Sequence, residues 1–506
     1  MYRKRYLSAL AAMMLTLTIA GCDNTGATGG GDWPTDSSSS SSESFSIDDI
    51  ADTYPDVRTQ SDEWGPYNVH DPSIIKADDG DYYAYSTDVM YGGTPPVGIQ
   101  VRRSADLIEW KYLGTAFDGL PQMAADFITA HGGTPNQSVW APYIEKHGSE
   151  YRLYYALASD VGRLSAIGLA VSSSPTGPWT ERGLVVTSQA DDTRQTNAID
   201  PTVVTTPDGD QWFYYGSAWD GIYTLQLDPD TGLAKTAGDI GVRVAYRGFT
   251  QDSNGNWNVN GNLEAPEVIY NPTFKKYYLF QSYDWLSTMY NVRVGRADSP
   301  QGPFYDFNGV DMNEAVDHGP MIIAPYQFTD HGGWQGVAHN STFSDGDGNW
   351  FIAHQGRPSV APAYMVLHVR KLHWTEDGWP IASPERYAGV AQTTISADEL
   401  AGTYDEIVLS RQLSEIVPGY EAEQTDPELN VAFTTTLDAA GTINGDVDNT
   451  WSYDPPWLEL HWYGGEYVDK LYVERGRDWE HYIPSTILLT GMNAGGLAIW
   501  GKKLSD

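Results

Sequence analysis

One short pattern recurs five times beyond about residue 60, roughly 60 to 75 residues apart, and no other feature constrains the fold more. In each copy a Pro or small residue opens a strand, a Gly turn follows, and an aromatic-rich strand returns. His70-Asp71-Pro72-Ser73 leads into residues 81–85, Trp140-Ala141-Pro142-Tyr143 into 151–155, and Ile199-Asp200-Pro201-Thr202 into 211–215. Glu264-Ala265-Pro266-Glu267 leads into 277–280, and His339-Asn340-Ser341-Thr342 into 349–353. Short strands at regular spacing, with no helical period along the chain, read as radial repetition; a two-sheet sandwich needs no register repeated five times. The expected fold is all-β, with a five-bladed β-propeller over residues 60–392. From 393 to 506 the repeat is lost, yet Trp457-Leu458-Glu459-Leu460-His461-Trp462 still alternates as a strand does. That stretch is expected to form a small C-terminal β-sandwich or barrel with a core of its own.

The N-terminus reads as an export signal. Arg3, Lys4 and Arg5 precede an apolar run at 7–19 that is too short to cross a bilayer comfortably but suits a signal peptide. The run ends in Ile19-Ala20-Gly21-Cys22, which resembles a bacterial lipobox, and Cys22 is the only cysteine of the chain. An intrachain disulfide or a thiolate metal cluster is thereby excluded. Residues 1–22 are expected to be a lipoprotein signal peptide, with Cys22 lipidated as the membrane anchor. Residues 23–59, rich in Gly, Ser and Asp, are expected to be a flexible tether. The protein would then be exported, membrane-anchored at the periplasm or the cell surface, and monomeric. With 67 acidic against 30 basic side chains and a net charge of -37, a nucleic-acid partner is excluded. The 33 Tyr and 18 Trp against 13 Phe suit sugar stacking, and equally a polar β-protein.

In a propeller the first strand of each blade lines the axial channel. Aligning the copies on Pro72, Pro142, Pro201, Pro266 and Ser341 gives one ring position occupied by Asp71, Ala141, Asp200, Ala265 and Asn340. The preceding position holds His70, Trp140, Ile199, Glu264 and His339. An Asp before Pro is, taken singly, an ordinary turn residue. Three carboxylates from three blades gathered at one channel would repel one another, and such a cost persists for function. Their chemistry is either a hard-cation cage or glycoside hydrolysis. Glycosidase chemistry needs one protonated acid and one ionised carboxylate, which a crowded and partly desolvated ring can hold apart in protonation.

Val69-His70-Asp71-Pro72-Ser73, Ser138-Val139-Trp140-Ala141-Pro142, Asn197-Ala198-Ile199-Asp200-Pro201, Leu263-Glu264-Ala265-Pro266 and Ala338-His339-Asn340-Ser341 stand in this order along the chain. Together they resemble glycoside hydrolase family 43, and within it the two-domain endo-α-1,5-L-arabinanases. The resemblance implies hydrolysis of internal arabinan linkages with inversion: Asp71 as general base, Glu264 as general acid, and Asp200 as the group that tunes and orients Glu264. It implies that Trp140 stacks on a sugar ring, that His70, Asn197 and Asn340 contact substrate or water, and that His339 holds a calcium ion in the channel. An exo-acting arabinofuranosidase or β-xylosidase would share all three carboxylates, and a non-catalytic sugar-binding propeller would keep Trp140 without needing Glu264. Glu267 departs from the pattern, where an aromatic or neutral residue is expected. His318, His331 and Trp334 lie on a long Gly-containing stretch that could shape the cleft.

Overall fold

The computed structural model describes residues 45–54, 57–247, 249–251, 257–259, 263–410 and 429–504. Cys22, the signal segment and the tether up to residue 44 lie outside the described residues. Each repeat closes on itself because its polar turns reverse the chain between strands whose aromatic side chains bury on both faces. The first gives β1 (Ser73–Lys76), β2 (Tyr82–Ser86), β3 (Gln100–Ser104) and β4 (Lys111–Thr115). All five residues of β2 are buried, and Gly80, at φ 93°, makes the tight turn before it. The second gives β5 (Trp140–His147), β6 (Glu150–Ala158), β7 (Ser165–Ser172) and β8 (Thr180–Ser188). The third gives β9 (Thr202–Thr205), β10 (Gln211–Tyr215), β11 (Ile222–Leu227) and β12 (Val242–Ala245). A ribbon of β13 (Phe249–Gln251) and β14 (Trp257–Val259) precedes the fourth: β15 (Leu263–Asn271), β16 (Lys276–Tyr283), β17 (Asn291–Ala297) and β18 (Met321–Ile323). Each of these four sheets is a four-stranded antiparallel meander, the arrangement of a β-propeller.

The fifth repeat differs. β21 (Ser341–Ser344), β22 (Trp350–Pro358), β23 (Val366–Trp374) and β24 (Pro380–Ala382) pair in the same antiparallel order. β22 outruns β21, however, and its last residues pair with β20 (Trp334–Gln335), which pairs with β19 (Tyr326–Gln327). β19 in turn takes up β26 (Asn430–Val431) in parallel, so the sheet has seven strands where the pattern implied four. The first strands lie side by side in the order β1, β5, β9, β15, β21, and β21 returns to β1. They form the ring around which the sheets stand.

The C-terminal unit is a closed barrel, one of the two forms the sequence left open. β25 (Gly402–Val408), β27 (Phe433–Leu437), β28 (Thr442–Ile443), β29 (Asp446–Asp454), β30 (Trp457–Trp462), β31 (Tyr467–Asp478), β32 (Ile483–Met492) and β33 (Ala498–Lys503) pair in order, and β33 closes onto β25. In β30, Leu458 and Leu460 bury with Leu471, Val473, Ile487 and Leu489 while Glu459 and His461 stay partly open. Two α-helices among the described residues escaped the sequence reading, a single turn at Ala397–Leu400 and the longer α1, Gln122–Ala130, between the first two sheets. Only Ala124 and Ile128 of it are buried, and its leading N–H groups are capped by Glu181, far away in the chain, so no local capping signal exists.

Propeller and barrel are fastened by charge as well as by apolar packing. Lys502 on β33 is fully buried, with Nζ 2.9 Å from Glu385, 2.7 Å from Asp478 and 2.6 Å from Glu480. Beside it the buried Trp500 indole donates to the Ala382 carbonyl at 2.8 Å. Residues 45–54, expected as tether, pack down instead: Asp48 pairs with Arg477, Asp52 pairs with Arg386, and Tyr54 stacks on Tyr67 at 4.3 Å. Replacing Lys502 by Met would leave three acidic side chains buried together without their cation. The expected loss is about 3–5 kcal/mol of unfolding free energy, read by chemical denaturation.

Candidate active site

The ring position is defined by the backbone. Asp71 (φ 53°), Ala141 (36°), Asp200 (59°), Ala265 (54°) and His339 (53°) all adopt the left-handed conformation. In the first, third and fifth repeats the strand starts two residues later, at Ser73, Thr202 and Ser341. In β5 and β15, which start earlier, the ladder instead shifts register between Trp140 and Tyr143 and between Glu264 and Glu267. The fifth repeat therefore slides by one residue from the expected alignment. His339, not Asn340, shares the ring position with Asp71, because Ser341 opens the strand and Asn340 stands where the other repeats have Pro.

Four of the five ring N–H groups are taken by a side chain of the preceding repeat. Ala141 N donates to Thr87 Oγ1 at 2.7 Å, Ala265 N to Asp200 Oδ2 at 3.0 Å, His339 N to Ser282 Oγ at 2.9 Å, and Asp71 N to Gln355 Oε1 at 2.8 Å. Every repeat but the second thus fixes the next through such a bond, and the fifth fixes the first.

Asp71 is 8 % exposed and heavily bonded. Its Oδ1 meets His70 Nδ1 at 2.7 Å and His339 Nδ1 at 2.8 Å, while Oδ2 accepts from Thr87 Oγ1 at 2.6 Å. Burial alone would push its carboxyl up, but the interactions with His339 and then His70 outweigh it and hold Asp71 well below the carboxylate range. Burial likewise opposes charge on His339, yet Asp71, Asp200 and Glu264 together push it up to about 9. Asp71 is an ionised acceptor facing an imidazolium.

Glu264 is held from both sides: Tyr290 OH donates to Oε1 and Ser217 Oγ to Oε2, each at 2.7 Å. Burial first, then Glu264, Asp71 and Asp200, keep the Tyr290 phenol far above its usual range, so it remains a donor. Asp200 is 5 % exposed, and burial, with Glu264 and Asp71 adding and His339 opposing, raises its carboxyl well above the usual value. A carboxylate held low and a carboxyl raised by burial stand in a single channel, an unequal sharing of protons of the kind that acid–base hydrolysis draws on.

Residues 65–380 match the sequence family "Glycosyl hydrolases family 43", and 384–501 match its "C-terminal lipocalin-like domain". The chain belongs to glycoside hydrolase family 43. Among relatives of this family 43 enzyme, an extracellular endo-α-(1→5)-L-arabinanase of Thermotoga petrophila is 26 % identical over 481 residues, covering 87 % of this chain and 94 % of the relative. A crystal structure of an endo-1,5-α-L-arabinanase from that organism superposes with a TM-score of 0.72 at 25 % identity, over 87 % of this chain and 99 % of the other. An extracellular exo-α-(1→5)-L-arabinofuranosidase of Cellvibrio japonicus is 28 % identical over 325 residues, covering 62 % of this chain and 86 % of its own length.

The remaining residues of the enzyme sort themselves by position. Trp140 is part-buried against the core of the second and third sheets, its Nε1 donating to Ser138 Oγ at 3.0 Å. Asn197 bridges Ser217 and so lies beside the group that holds Glu264. His70 has both ring nitrogens engaged, Nδ1 by Asp71 and Nε2 by Gln355. His318 is buried against Asp306 and the Glu314 carbonyl, and His331 pairs with Asp52 at 2.7 Å. Trp334 is buried in β20. None of these last three is bonded to the carboxylate cluster. Thr87, Ser217, Gln355 and Tyr290 were not singled out from sequence. Thr87 and Ser217 share a signal, a polar residue just past the end of a repeat's second strand, and Gln355 is a polar residue inside β22, whereas Tyr290 has none.

The family resemblance implies a calcium ion, for which the channel holds a set of donors. Glu267 is buried and pushed up to about 7 by that burial; its Oε2 accepts from Thr202 Oγ1 at 2.9 Å and its Oε1 from Thr342 N at 3.0 Å. Asn340 bonds the same Thr342 through Nδ2, and its buried Oδ1 has no hydrogen-bond partner. His339 spends Nδ1 on Asp71, leaving Nε2 as the nitrogen that could face a metal. An orphaned amide oxygen and a buried carboxyl are donors a hard cation takes, so the set fits.

The raised His339 has a direct consequence for stability. A histidine whose folded value exceeds its unfolded one stabilises fully below the unfolded value and loses that contribution as pH rises through the folded value. Unfolding free energy in calcium-free buffer is expected to fall between pH about 6.5 and about 9, by up to about 3 kcal/mol. The slope should flatten in His339→Gln, as read by denaturation at several pH values.

Proposed function

We propose that this family 43 enzyme is an endo-acting arabinanase that cleaves internal α-1,5-L-arabinofuranosidic bonds of arabinan with inversion. The observation that carries the reading is the pairing of an ionised Asp71 with a hydroxyl-held Glu264 on one channel. Similarity to endo-arabinanases over both domains supports it. We count five blades in the propeller, taking β21–β24 within the seven-stranded sheet as the fifth, so that Asp71, Asp200 and Glu264 come from blades one, three and four.

In this reading a water bound to Asp71 attacks the anomeric carbon, and Asp71 accepts its proton. The bond to the leaving oxygen breaks as Glu264 gives that oxygen a proton, and solvent later restores both groups. Asp200, buried and accepting from Ala265 N–H, tunes the pKa of the neighbouring Glu264 and orients it. Trp140 offers an indole face to a sugar ring, and Asn197 and Asn340 offer amides to substrate or water. A calcium ion would be held by Glu267, the Asn340 Oδ1 and His339 Nε2, where it supplies positive charge that steadies the channel carboxylates. Cys22 anchors the exported protein to a membrane as a monomer.

Product analysis on debranched arabinan tests the activity. A ladder of oligosaccharides is expected; arabinose alone would mean exo action, and release of xylose from xylan would mean another substrate. Glu264→Ala should lose at least about 100-fold in kcat while keeping its unfolding midpoint, in line with the size of general-acid contributions; unchanged turnover removes the assignment.

Chelation should lower the melting temperature and added calcium should restore it. Glu267→Gln should abolish that response, whereas a wild-type melting curve indifferent to both treatments argues against the ion.

A further inference from the structure

We propose that Gln355 and His70 are a positioning pair for the base, which locks the Asp71 carboxylate and leaves Oδ2 as the one atom that can bind the attacking water. The inference rests on the reading of Asp71 as the base. It follows from hydrogen-bond logic that starts at a group whose role is fixed. The Asp71 backbone N–H can only donate, and at 2.8 Å it meets Gln355 Oε1, which orients the amide. Gln355 Nε2 can therefore only donate, and it lies 3.1 Å from His70 Nε2. That nitrogen must accept, because a second N–H there would face the amide N–H. The imidazole then carries its one proton on Nδ1, 2.7 Å from Asp71 Oδ1. The chain of bonds begins and ends on Asp71, so amide, imidazole and carboxylate hold one another in a closed loop.

A carboxylate has about four acceptor positions. Oδ1 is filled by His70 and His339, and Oδ2 takes Thr87 Oγ1 at 2.6 Å. One position is left, on Oδ2. Both nitrogens of His70 are already committed, so it acts on the base and has no ring nitrogen for the sugar. Gln355 is fully buried in β22 of the fifth repeat, whereas His70 and Asp71 precede β1. The pair therefore also spans the seam at which the ring closes.

The direct test needs no substrate. Nitrogen NMR of His70 in the intact enzyme should show its proton on Nδ1; a proton on Nε2 would overturn the proposal. In Gln355→Glu the new carboxylate still accepts from Asp71 N–H but cannot donate, so His70 should become doubly protonated to bond it. In Gln355→Met the single tautomer should be lost. Both variants should lose about 10- to 100-fold in kcat with little change in KM, the size seen when a supporting partner is removed from a site. Undiminished kcat in folded Gln355→Met, or a His70 tautomer that ignores both substitutions, would also overturn it. Full turnover by Asp71→Asn would instead remove the base assignment and leave the tautomer result standing, so the two failures are distinguishable.

Discussion

The left-handed residue at the head of each repeat is the constraint on which the site depends. At Asp71, Asp200 and His339 the chain turns into a first strand, and at Ala141 and Ala265 it shifts register within one, in a conformation non-glycine residues seldom adopt. In all but one the N–H is met by a side chain from the repeat before. Blade-to-blade contact is thus a bonded relay as well as packing. Because Asp71, Asp200 and His339 sit at the relay itself, the same bonds that close the propeller orient the chemistry. Asp200 does both jobs at once, accepting Ala265 N–H while standing beside the Glu264 that precedes it.

Crowding acidic groups in a buried channel is unfavourable unless protons or cations are shared out among them. The structure distributes them unequally. Asp71 is satisfied by two imidazoles and a hydroxyl and is held low; Asp200, with one backbone donor, is raised by burial; Glu267, with two donors, is pushed up to about 7. The gradient tracks the number and charge of the donors, not the residue type. His339, pushed up to about 9 by the surrounding carboxyls, is a counter-charge inside the cluster.

Much of this was legible in the sequence, and the failures have causes. Pro after Asp71, Ala141, Asp200 and Ala265 marks the ring position because Pro cannot donate and so tolerates the start of a strand. The fifth repeat has no Pro, and aligning Ser341 with it displaced His339 by one residue. The barrel's alternation in β30 was visible, but closure of β33 onto β25 is a long-range pairing that no local pattern encodes. Helix α1 was invisible because Glu181 caps it from elsewhere in the chain. Asp71 and Glu264 were identifiable as carboxylates at repeated positions, whereas Tyr290, brought to Glu264 by the lead-in to β17, belongs to no repeated position. The tether could be read from composition only until Tyr54 and Asp52 found partners in the folded domains.

The acidity of the chain also takes a different meaning from the structure. Many of its few basic side chains are spent inside. Arg102, Arg152, Arg293, Arg370 and Arg477 are almost wholly buried. Arg102 donates to the carbonyls of Gly65, Tyr67 and Asn68, and Arg163 to those of Gln189, Thr193 and Gln195. A propeller carries many connections that lack ladder partners, and one planar guanidinium satisfies several stray carbonyls at once. Using cations this way strips them from the exterior, so a net charge of -37 is expressed mainly at the surface. A neutral polysaccharide feels little of that field, whereas polyanions are repelled. The acidic surface is then the complement of an arginine-stitched interior and compatible with the proposed substrate, without having to steer it.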